Sequence, residues 1–315
     1  MTSALPNRPV GAPLVTIGVP VYNRERFIEE TLRALQQQDL ADIEVIVGDN
    51  ASTDGTRAIA EQLASEDARF TVLPSDVNRG STWNYNRLLA AARGEFFAWN
   101  AADDVILPDH LATCVRLLRE NTEAVLAFSR VADIDVAGTV VREYDDAGLD
   151  LLQRSPSARL AVFFRHGIYH AAFGGLYRTA VLRETGGFEP FFGQDVALGT
   201  RMVLRAPWVQ SQDRTYRLRL HENQMSKLQG GDPVRQTRIF TPTHRRPVAF
   251  PQWFLGYRLY AEVMNAPLSA TERVKALRAV ALGWTVPNWR ALPYDVKRNA
   301  IRLVKGRYEG SFHPE

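Results

Sequence analysis

The sequence predicts an α/β fold with a mostly parallel central sheet, followed by a C-terminal helical extension. Strand-like and helix-like segments alternate along the first half of the chain, which is the arrangement of βαβ units. Polar clusters follow three of the predicted strands directly, and ligands of such sheets bind beyond the carboxyl ends of the strands. Beyond about residue 230, basic helical stretches punctuated by proline replace the alternation.

The composition bounds the class of protein. The chain has 315 residues, of which 45% are hydrophobic and 23% charged, and this excludes collagen-like, disordered and disulfide-scaffold proteins. The single cysteine, Cys114, excludes an internal disulfide and a zinc site with several cysteines. No apolar run approaches the roughly 18 residues of a membrane span, and the N-terminus lacks a secretory signal. The sequence therefore predicts a soluble or peripheral protein.

The predicted elements follow in order along the first half. The predicted strands are Val15–Val21, Ile43–Val47, Phe70–Leu73, Phe96–Trp99 and Ala124–Phe128. The predicted helices are Glu25–Gln38, Thr56 to about Ser65, Ser81–Ala92 and a helix from His110. The middle of the chain, from Val131 to about Arg219, is less regular and rich in glycine and aromatic residues.

Two polar clusters at strand ends are candidates for chemistry. The first begins at Gly48 and includes Asp49, which stands at the strand end, before the residues that can cap the next helix. The second contains Asp103 and Asp104, two adjacent carboxylates that repel each other unless a positive group neutralises them. Mg²⁺ or Mn²⁺ would do so while bridging to phosphates, and a capped turn is the structural alternative.

These clusters, with three further segments, resemble the family 2 glycosyltransferases, which have the GT-A fold. The motifs are Val15–Asn23, Asp49–Thr56, Asn78–Gly80, Asp103–Asp104, Gly186–Asp195 and Arg219–Ser226. The resemblance covers residues 14 to 226. It implies a GT-A-like glycosyltransferase domain over residues 1–230, with a nucleotide-binding half at about 14–130 and an acceptor half at about 131–230. Residues 231–315 form the basic, aromatic-rich tail, and the best linker candidate is Gln229–Pro233.

The resemblance also implies the site residues. The nucleotide would be bound by Pro20, Tyr22, Asp49, Arg79 and Asp103, with Asp103 at the ribose or the metal. Asp104 and His221 would hold Mn²⁺ or Mg²⁺ at the diphosphate, although His221 is as readily a structural histidine. Asp195 would be the general base that takes the acceptor's proton, giving inversion at the anomeric carbon. His170 and Gln194 are weaker candidates for the acceptor side.

Two positions depart from the family pattern. Ala101 stands where the family often has an aspartate two positions before Asp103. Gln194 replaces the usual glutamate, which removes a charge beside Asp195 and eases its ionisation. Metal binding therefore depends on fewer carboxylates, while the carboxylate required of a general base is present.

The tail carries most of the positive charge. From Arg235 onward there are 14 Lys and Arg against 5 Asp and Glu, whereas the preceding residues have 24 against 30. Aromatic residues interleaved with cations are typical of helices that lie on anionic lipid, and a helical lid or an oligomer contact is the alternative. A nucleic-acid partner is disfavoured by the nucleotide-sugar motifs. We therefore expect a cytoplasmic protein that can lie peripherally on the inner face of the cell membrane.

The function that the resemblance implies is transfer of a sugar from a nucleoside diphosphate, with UDP favoured and dTDP and GDP open. The acceptor would be a glycan or a lipid-linked molecule, as in polysaccharide biosynthesis. Two alternatives come from other classes. A sugar nucleotidyltransferase would need a glycine-rich phosphate loop where the chain has Pro20–Arg24, and a non-catalytic sugar-nucleotide-binding protein is favoured only by Ala101 and Gln194.

Overall fold

The computed structural model describes residues 11–144, 149, 151–152, 155–167, 172–222, 232–241 and 243–305. Its strands are β1 (Val15–Val21), β2 (Ile43–Asp49), β3 (Phe70–Pro74), β4 (Phe96–Trp99), β5 (Val105–Ile106), β6 (Leu126–Phe128), β7 (Val131–Ile134), β8 (Val140–Glu143), β9 (Leu176–Arg178), β10 (Trp208–Gln210) and β11 (Tyr216–Arg219). Its helices are α1 (Glu25–Gln36), α2 (Thr56–Glu66), α3 (Ser81–Ala91), α4 (His110–Glu120), α5 (Pro156–His166), α6 (Thr179–Glu184), α7 (Gln194–Arg205), α8 (Pro233–Phe240), α9 (Pro251–Asn265), α10 (Ala270–Val280) and α11 (Ala291–Lys305). A π-helical turn, Ala281–Thr285, follows α10.

A seven-stranded sheet forms the centre of the molecule. Its strand order is β10-β6-β9-β4-β1-β2-β3. Strand β1 pairs in parallel with β2 and β4, β2 pairs in parallel with β3, and β10 pairs in parallel with β6. Only β9, which lies between β4 and β6, runs antiparallel to its neighbours in this sheet. The predicted α/β architecture with a mostly parallel sheet is confirmed.

Close packing explains why the central strands are so apolar. Every residue of β1 and of β2 is buried, as expected for parallel strands covered on both faces. At Gly18 of β1, an added Cβ would come within 3.0 Å of the Cβ of Leu88. Helix α3 therefore packs directly against the centre of the sheet, which fixes the position of the loop before it.

A second, four-stranded sheet has the order β5-β11-β7-β8. Strand β5 begins directly after Asp104, and β11 ends two residues before His221. Because Tyr216 of β11 pairs with Ile106 of β5, the two segments lie side by side. This pairing brings residues near position 104 to residues near position 220.

The middle of the chain is more regular than the sequence predicts. It contains β7 to β11 and the helices α5 to α7. Several of these strands have three or four residues, too few for a hydrophobic period to be recognisable. Strands β9 and β10 complete the same sheet that β1 to β4 begin, so residues 14–130 and 131–219 share one sheet.

The tail packs on the α/β domain. Helix α9 lies against α7, and α10 lies against α5. The predicted helix 253–264 is α9, whereas the predicted helix 270–284 divides into α10 and the π-helical turn. Helix α11 starts at Ala291, before the predicted Asp295, because Pro293 is tolerated in a first turn, where its missing N–H has no helical partner. Most of the predicted linker lies outside the described residues.

Four charged side chains fix α9 to the loop that precedes α7. Arg201 of α7 and Arg258 of α9 both contact Glu189, each at 2.5 Å. Both also contact Glu262 of α9, at 2.6 and 3.0 Å. Each carboxylate thus lies between two guanidinium groups, and the hydrogen bonds that Arg201 donates to Glu262 and Glu189 raise its pKa against the opposing effect of burial.

Candidate active site

The loops after β1 and β2 interlock at the carboxyl edge of the sheet. Pro20 pairs with Gly48, and Asp49 ends β2 opposite Val21. Asn23 and Ala51 adopt left-handed backbone conformations, with φ of 50° and 64°. The side chain of Asn23 accepts a hydrogen bond from the backbone N–H of Thr53 at 2.8 Å. Strained residues in two joined loops are typical of ligand-binding segments.

Asp49 is held at this edge. It is 1% exposed, and the backbone N–H of Ser52 donates to its Oδ1 at 3.2 Å. The guanidinium of Arg87 donates to the backbone carbonyl of Asp49 at 2.9 Å. The N-cap of α2 is Gly55, which has no side chain to cap the helix, but Asp54 directly before it accepts the backbone N–H of Thr56 at the start of α2.

Arg79 lies at the same edge. The Oδ1 of Asn50 accepts the backbone N–H of Arg79 at 3.1 Å, which ties the loop after β3 to the loop after β2. The guanidinium groups of Arg79 and Arg87 lie over the ring of Trp83, 5.0 and 4.5 Å from its centroid. The fold thus assembles Pro20, Tyr22, Asp49 and Arg79 from three successive strand ends.

Asp103 and Asp104 have different surroundings although they are adjacent. Oδ2 of Asp103 lies 2.8 Å from Nε2 of His221 and 3.4 Å from Nε of Arg24. The side chain of Asp103 is 16% exposed. Both oxygens of Asp104 have partners within the fold: Oδ1 accepts the backbone N–H of Arg219 at 2.9 Å, and Oδ2 accepts the hydroxyl of Tyr216 at 2.7 Å.

The ionisation of the two carboxyl groups also differs. Burial alone would raise the pKa of Asp103, but the hydrogen bond with His221 and the charge of Arg24 hold it below its usual value. Burial, followed by the charge of Asp103, raises the pKa of Asp104 to about 8. Asp103 is therefore the more acidic member of the pair, and Asp104 is the one whose ionisation is disfavoured.

Asp195 lies in the first turn of α7 and is half-buried. The residue before this helix, Gly193, has φ of +78°, and a Cβ there would come within 2.5 Å of Leu255 on α9. The hydroxyl of Thr82, in α3, donates to Oε1 of Gln194 at 2.6 Å. The start of α7 is thus held from one side by α9 and from the other by α3.

Tyr85 lies near Asp103, Asp104 and Asp195, although the sequence predicted it only on the apolar side of a helix. Its ring makes edge contacts with Trp99, Phe173 and Phe188, with centroids 5.5 to 6.1 Å apart. Burial and then the charges of Asp103, Asp104 and Asp195 raise the pKa of Tyr85. Among the described residues, its hydroxyl has no hydrogen-bond partner.

Some functional candidates were missed or lie elsewhere. Tyr216 and Arg24 were not singled out from the sequence, because their partners are the distant Asp104 and the distant Asp103. His170 lies outside the described residues. Cys114 is buried, as expected for a structural thiol, and burial raises its pKa to about 12.

The sequence of the chain is similar to those of characterised glycosyltransferases. The chain is 25% identical over 208 residues to GalNAc(5)-diNAcBac-PP-undecaprenol beta-1,3-glucosyltransferase of Campylobacter jejuni, a match that covers 65% of each chain. It spans less than two thirds of the length of the first curated relatives it matches.

Among the solved structures with a similar fold are two complexes with a nucleotide sugar. S. aureus TarS 1-349 in complex with UDP-GlcNAc superposes with a TM-score of 0.67 at 19% identity, covering 90% of this chain and 79% of that one. The mannosyltransferase PcManGT of Pyrobaculum calidifontis, in complex with GDP-Man and Mn²⁺, has a TM-score of 0.53 at 19% identity, covering 96% and 90%. These likenesses confirm the predicted GT-A-like fold.

The sequence model described as Glycosyl transferase family 2 matches residues 16–186, more than half of the chain. The match begins in β1 and includes the loops with Asp49, Arg79 and Asp103. The resemblance seen in the sequence is thereby confirmed, and the chain belongs to glycosyl transferase family 2.

Proposed function

We propose that the chain transfers a sugar from a nucleoside diphosphate to a glycan or lipid-linked acceptor, with inversion at the anomeric carbon. The observation that carries the proposal concerns Tyr85: the charges of both Asp103 and Asp195 raise the pKa of its hydroxyl, so both carboxylates lie near this one side chain. We therefore propose that the donor-side carboxylate and the candidate base line one cleft. A donor bound at the strand ends would place its sugar between them.

The nucleotide side of the cleft supports a nucleoside diphosphate. Asp49 would accept from a ring N–H of the base, while Pro20 and Tyr22 would pack near it, and Arg79 would line the same pocket. TarS was solved with UDP-GlcNAc and PcManGT with GDP-Man. We favour UDP as the nucleotide of this chain.

The residues present fit a divalent cation at the diphosphate. No group of three or more His, Cys, Asp and Glu side chains suited to a metal occurs among the described residues. Asp103 and His221 nevertheless supply one carboxylate oxygen and one imidazole nitrogen 2.8 Å apart. Mg²⁺ and Mn²⁺ sites commonly use one or two carboxylates and complete their shell with phosphate and water.

We therefore assign the metal to Asp103 and His221, and a positioning role to Asp104. Both oxygens of Asp104 are hydrogen-bonded to β11 or its end, which fixes Asp103 opposite His221. When bound, the cation would stabilise negative charge on the departing diphosphate. Arg24, 3.4 Å from Asp103, adds a second positive charge there.

Asp195 would act as the general base. Its carboxylate takes the proton of the acceptor hydroxyl while that oxygen bonds to the anomeric carbon and the nucleoside diphosphate departs. Gln194 anchors this end of α7 through Thr82, and with His170 it would lie on the acceptor side. The hydroxyl of Tyr85 would donate to the transferred sugar, because the fold offers it no other partner among the described residues.

The acceptor is proposed to be a glycan or a lipid-linked molecule of polysaccharide synthesis. The Campylobacter relative is named for an undecaprenol-linked substrate. A lipid-linked acceptor would require the chain to work at a membrane, and we propose the cytoplasmic face.

The decisive experiment compares native protein with Asp195→Asn. Nucleoside diphosphate sugars are titrated by calorimetry with Mn²⁺, Mg²⁺ or EDTA, and release of nucleoside diphosphate is followed with a pool of lipid-linked and soluble glycans. We expect one nucleotide to bind both proteins equally, with transfer by the native protein alone. Equal loss of binding and transfer would contradict the base assignment, and binding without turnover in the native protein would favour a non-catalytic sugar-nucleotide-binding protein.

A further inference from the structure

Four large aromatic side chains of the tail are exposed together. Trp253 is 50% exposed, Phe254 47%, Tyr257 65% and Trp289 57%. Tyr257 follows Trp253 by four positions and Phe254 by three, so these side chains lie on one face of α9, and Leu255 and Leu259 are buried on the other face. We call these four residues the aromatic surface.

Two hydrogen bonds bring Trp289 next to α9. Nε1 of Trp253 donates to the carbonyl of Leu292 at 2.9 Å. One turn further along the same face of α9, Tyr257 is exposed. After another turn, the hydroxyl of Tyr260 lies 2.9 Å from Oγ1 of Thr285, and this is the second hydrogen bond. The chain between positions 285 and 292, which includes Trp289, therefore runs beside the Trp253–Tyr257 face. Trp289 thus lies beside α9, two residues before α11 begins.

One positive charge lies directly on the aromatic surface, and another is exposed on the neighbouring helix α11. Arg290 lies over the ring of Trp289, 5.4 Å from its centroid, and Lys297 is exposed on α11. Within residues 243–305, each acidic side chain is engaged by the fold. Glu262 is paired with two arginines, Glu272 accepts from Ser155, and Asp295 accepts from the backbone N–H of Gln252.

We propose that the aromatic surface docks on an anionic lipid bilayer. Exposed Trp and Tyr beside unneutralised Lys and Arg are suited to the interface between headgroups and acyl chains. Each cation near such a surface adds attraction to anionic lipid. A second copy of the chain is a poorer occupant, because contact between two such surfaces would bring like charges together.

The aromatic surface lies close to the proposed base. The ring of Phe254 is 5.2 Å from that of Phe191, and Leu255 packs on Gly193, two residues before Asp195. Docking would therefore place the start of α7 near the headgroups, where a lipid-linked hydroxyl would be presented. This last step rests on the proposed function, whereas the docking itself does not.

Co-sedimentation of the full chain with vesicles tests the proposal without any substrate. The vesicles contain phosphatidylcholine alone or mixed with phosphatidylglycerol, at low and high salt. We expect binding to the mixed vesicles that weakens with salt, and a loss of about tenfold or more in Tyr257→Ser/Trp289→Ser. Neither side chain makes a hydrogen bond within the described residues, so the melting temperature should be that of the native protein.

The matched control is Val141→Ser, because Val141 is 54% exposed on β8, in the other sheet. It should bind vesicles like the native protein. The absence of binding to anionic vesicles at low salt would overturn the proposal, as would equal binding by the double variant. A native dimer in solution that the double variant abolishes would instead assign the aromatic surface to a second copy. A chain that binds vesicles but transfers no sugar would contradict the proposed function alone.

Discussion

The hydroxyl of Thr82 donates a 2.6 Å hydrogen bond to Gln194, across 112 positions of the chain. Thr82 lies two residues after Gly80, in the helix that begins at the Arg79 loop, and Gln194 directly precedes Asp195. The bond therefore connects the helix after the proposed nucleotide-binding loop with the helix that carries the proposed base. It also explains how a neutral glutamine is accommodated here, since its carbonyl oxygen accepts as a carboxylate would.

Gln194→Glu should preserve this hydrogen bond and place a second negative charge beside Asp195. Two neighbouring carboxylates disfavour each other's ionisation. We expect the acidic limb of the pH profile of transfer to move to higher pH, while donor binding stays constant. Thr82→Ser, which keeps the hydroxyl, is the control. A pH profile identical to that of the native protein would show that Gln194 does not tune the base.

The metal assignment predicts opposite behaviour for two adjacent aspartates. Asp103→Asn should weaken Mn²⁺-dependent binding of the nucleotide by about tenfold or more, with little change in melting temperature. Asp104→Asn should mainly lower the melting temperature, because it disturbs the buried contacts with Tyr216 and the Arg219 backbone. Calorimetry with and without EDTA measures the first effect. If Asp104→Asn kept the native melting temperature but bound the nucleotide without any dependence on metal, Asp104 would have to be a metal ligand.

Tyr85→Phe removes a hydroxyl that makes no hydrogen bond within the described structure. We expect an unchanged melting temperature and a fall of roughly tenfold in kcat/KM for the donor, the effect of one lost hydrogen bond to substrate. Tyr177→Phe is the matched control, because the Tyr177 hydroxyl donates to the carbonyl of Ala172 at 2.8 Å. That variant should lose about 1 kcal/mol of stability and keep its donor kinetics. Native kinetics in Tyr85→Phe would remove this residue from the donor site.

Asp295 should make the tail less stable as the pH rises. Burial raises its pKa from the ordinary 3.8 to about 6, against the opposing hydrogen bonds from Gln252 and Trp253. Between these values the folded chain keeps a proton that the unfolded chain has lost, so the free energy of unfolding decreases with increasing pH.

Asp295→Asn should remove this dependence while keeping an acceptor for the Gln252 N–H. Relative to the native protein, the variant should gain stability on the order of 2 kcal/mol between acidic and neutral pH. Urea unfolding at several pH values measures the difference. A constant difference between the two proteins across this range would contradict the role given to Asp295.

The elements of the first half could be predicted because their hydrophobic patterns are long. Strands β1 and β4 have the predicted bounds, and α1 ends two residues early, at Gln36. The site was predictable to the level of which loops meet, since parallel strands bring their ends together. The different surroundings of Asp103 and Asp104 could not be predicted, because they depend on Tyr216, Arg219 and His221, which lie more than 100 positions away in the chain. No local pattern specifies which of two adjacent carboxylates will be enclosed.

The position of β9 has a consequence for the order in which the chain can fold on the ribosome. Residues 176–178 fill the gap between β4 and β6, both of which are synthesised at least 48 positions earlier. Until β9 emerges, β4 has an open apolar edge that can pair with other chains. A nascent chain stopped near residue 130 should therefore need chaperone protection, although it already contains Asp49, Arg79 and Asp103. The motifs proposed to bind the nucleotide are made first, but the gap between β4 and β6 in the sheet that supports them is filled only when β9 is made, shortly before Asp195.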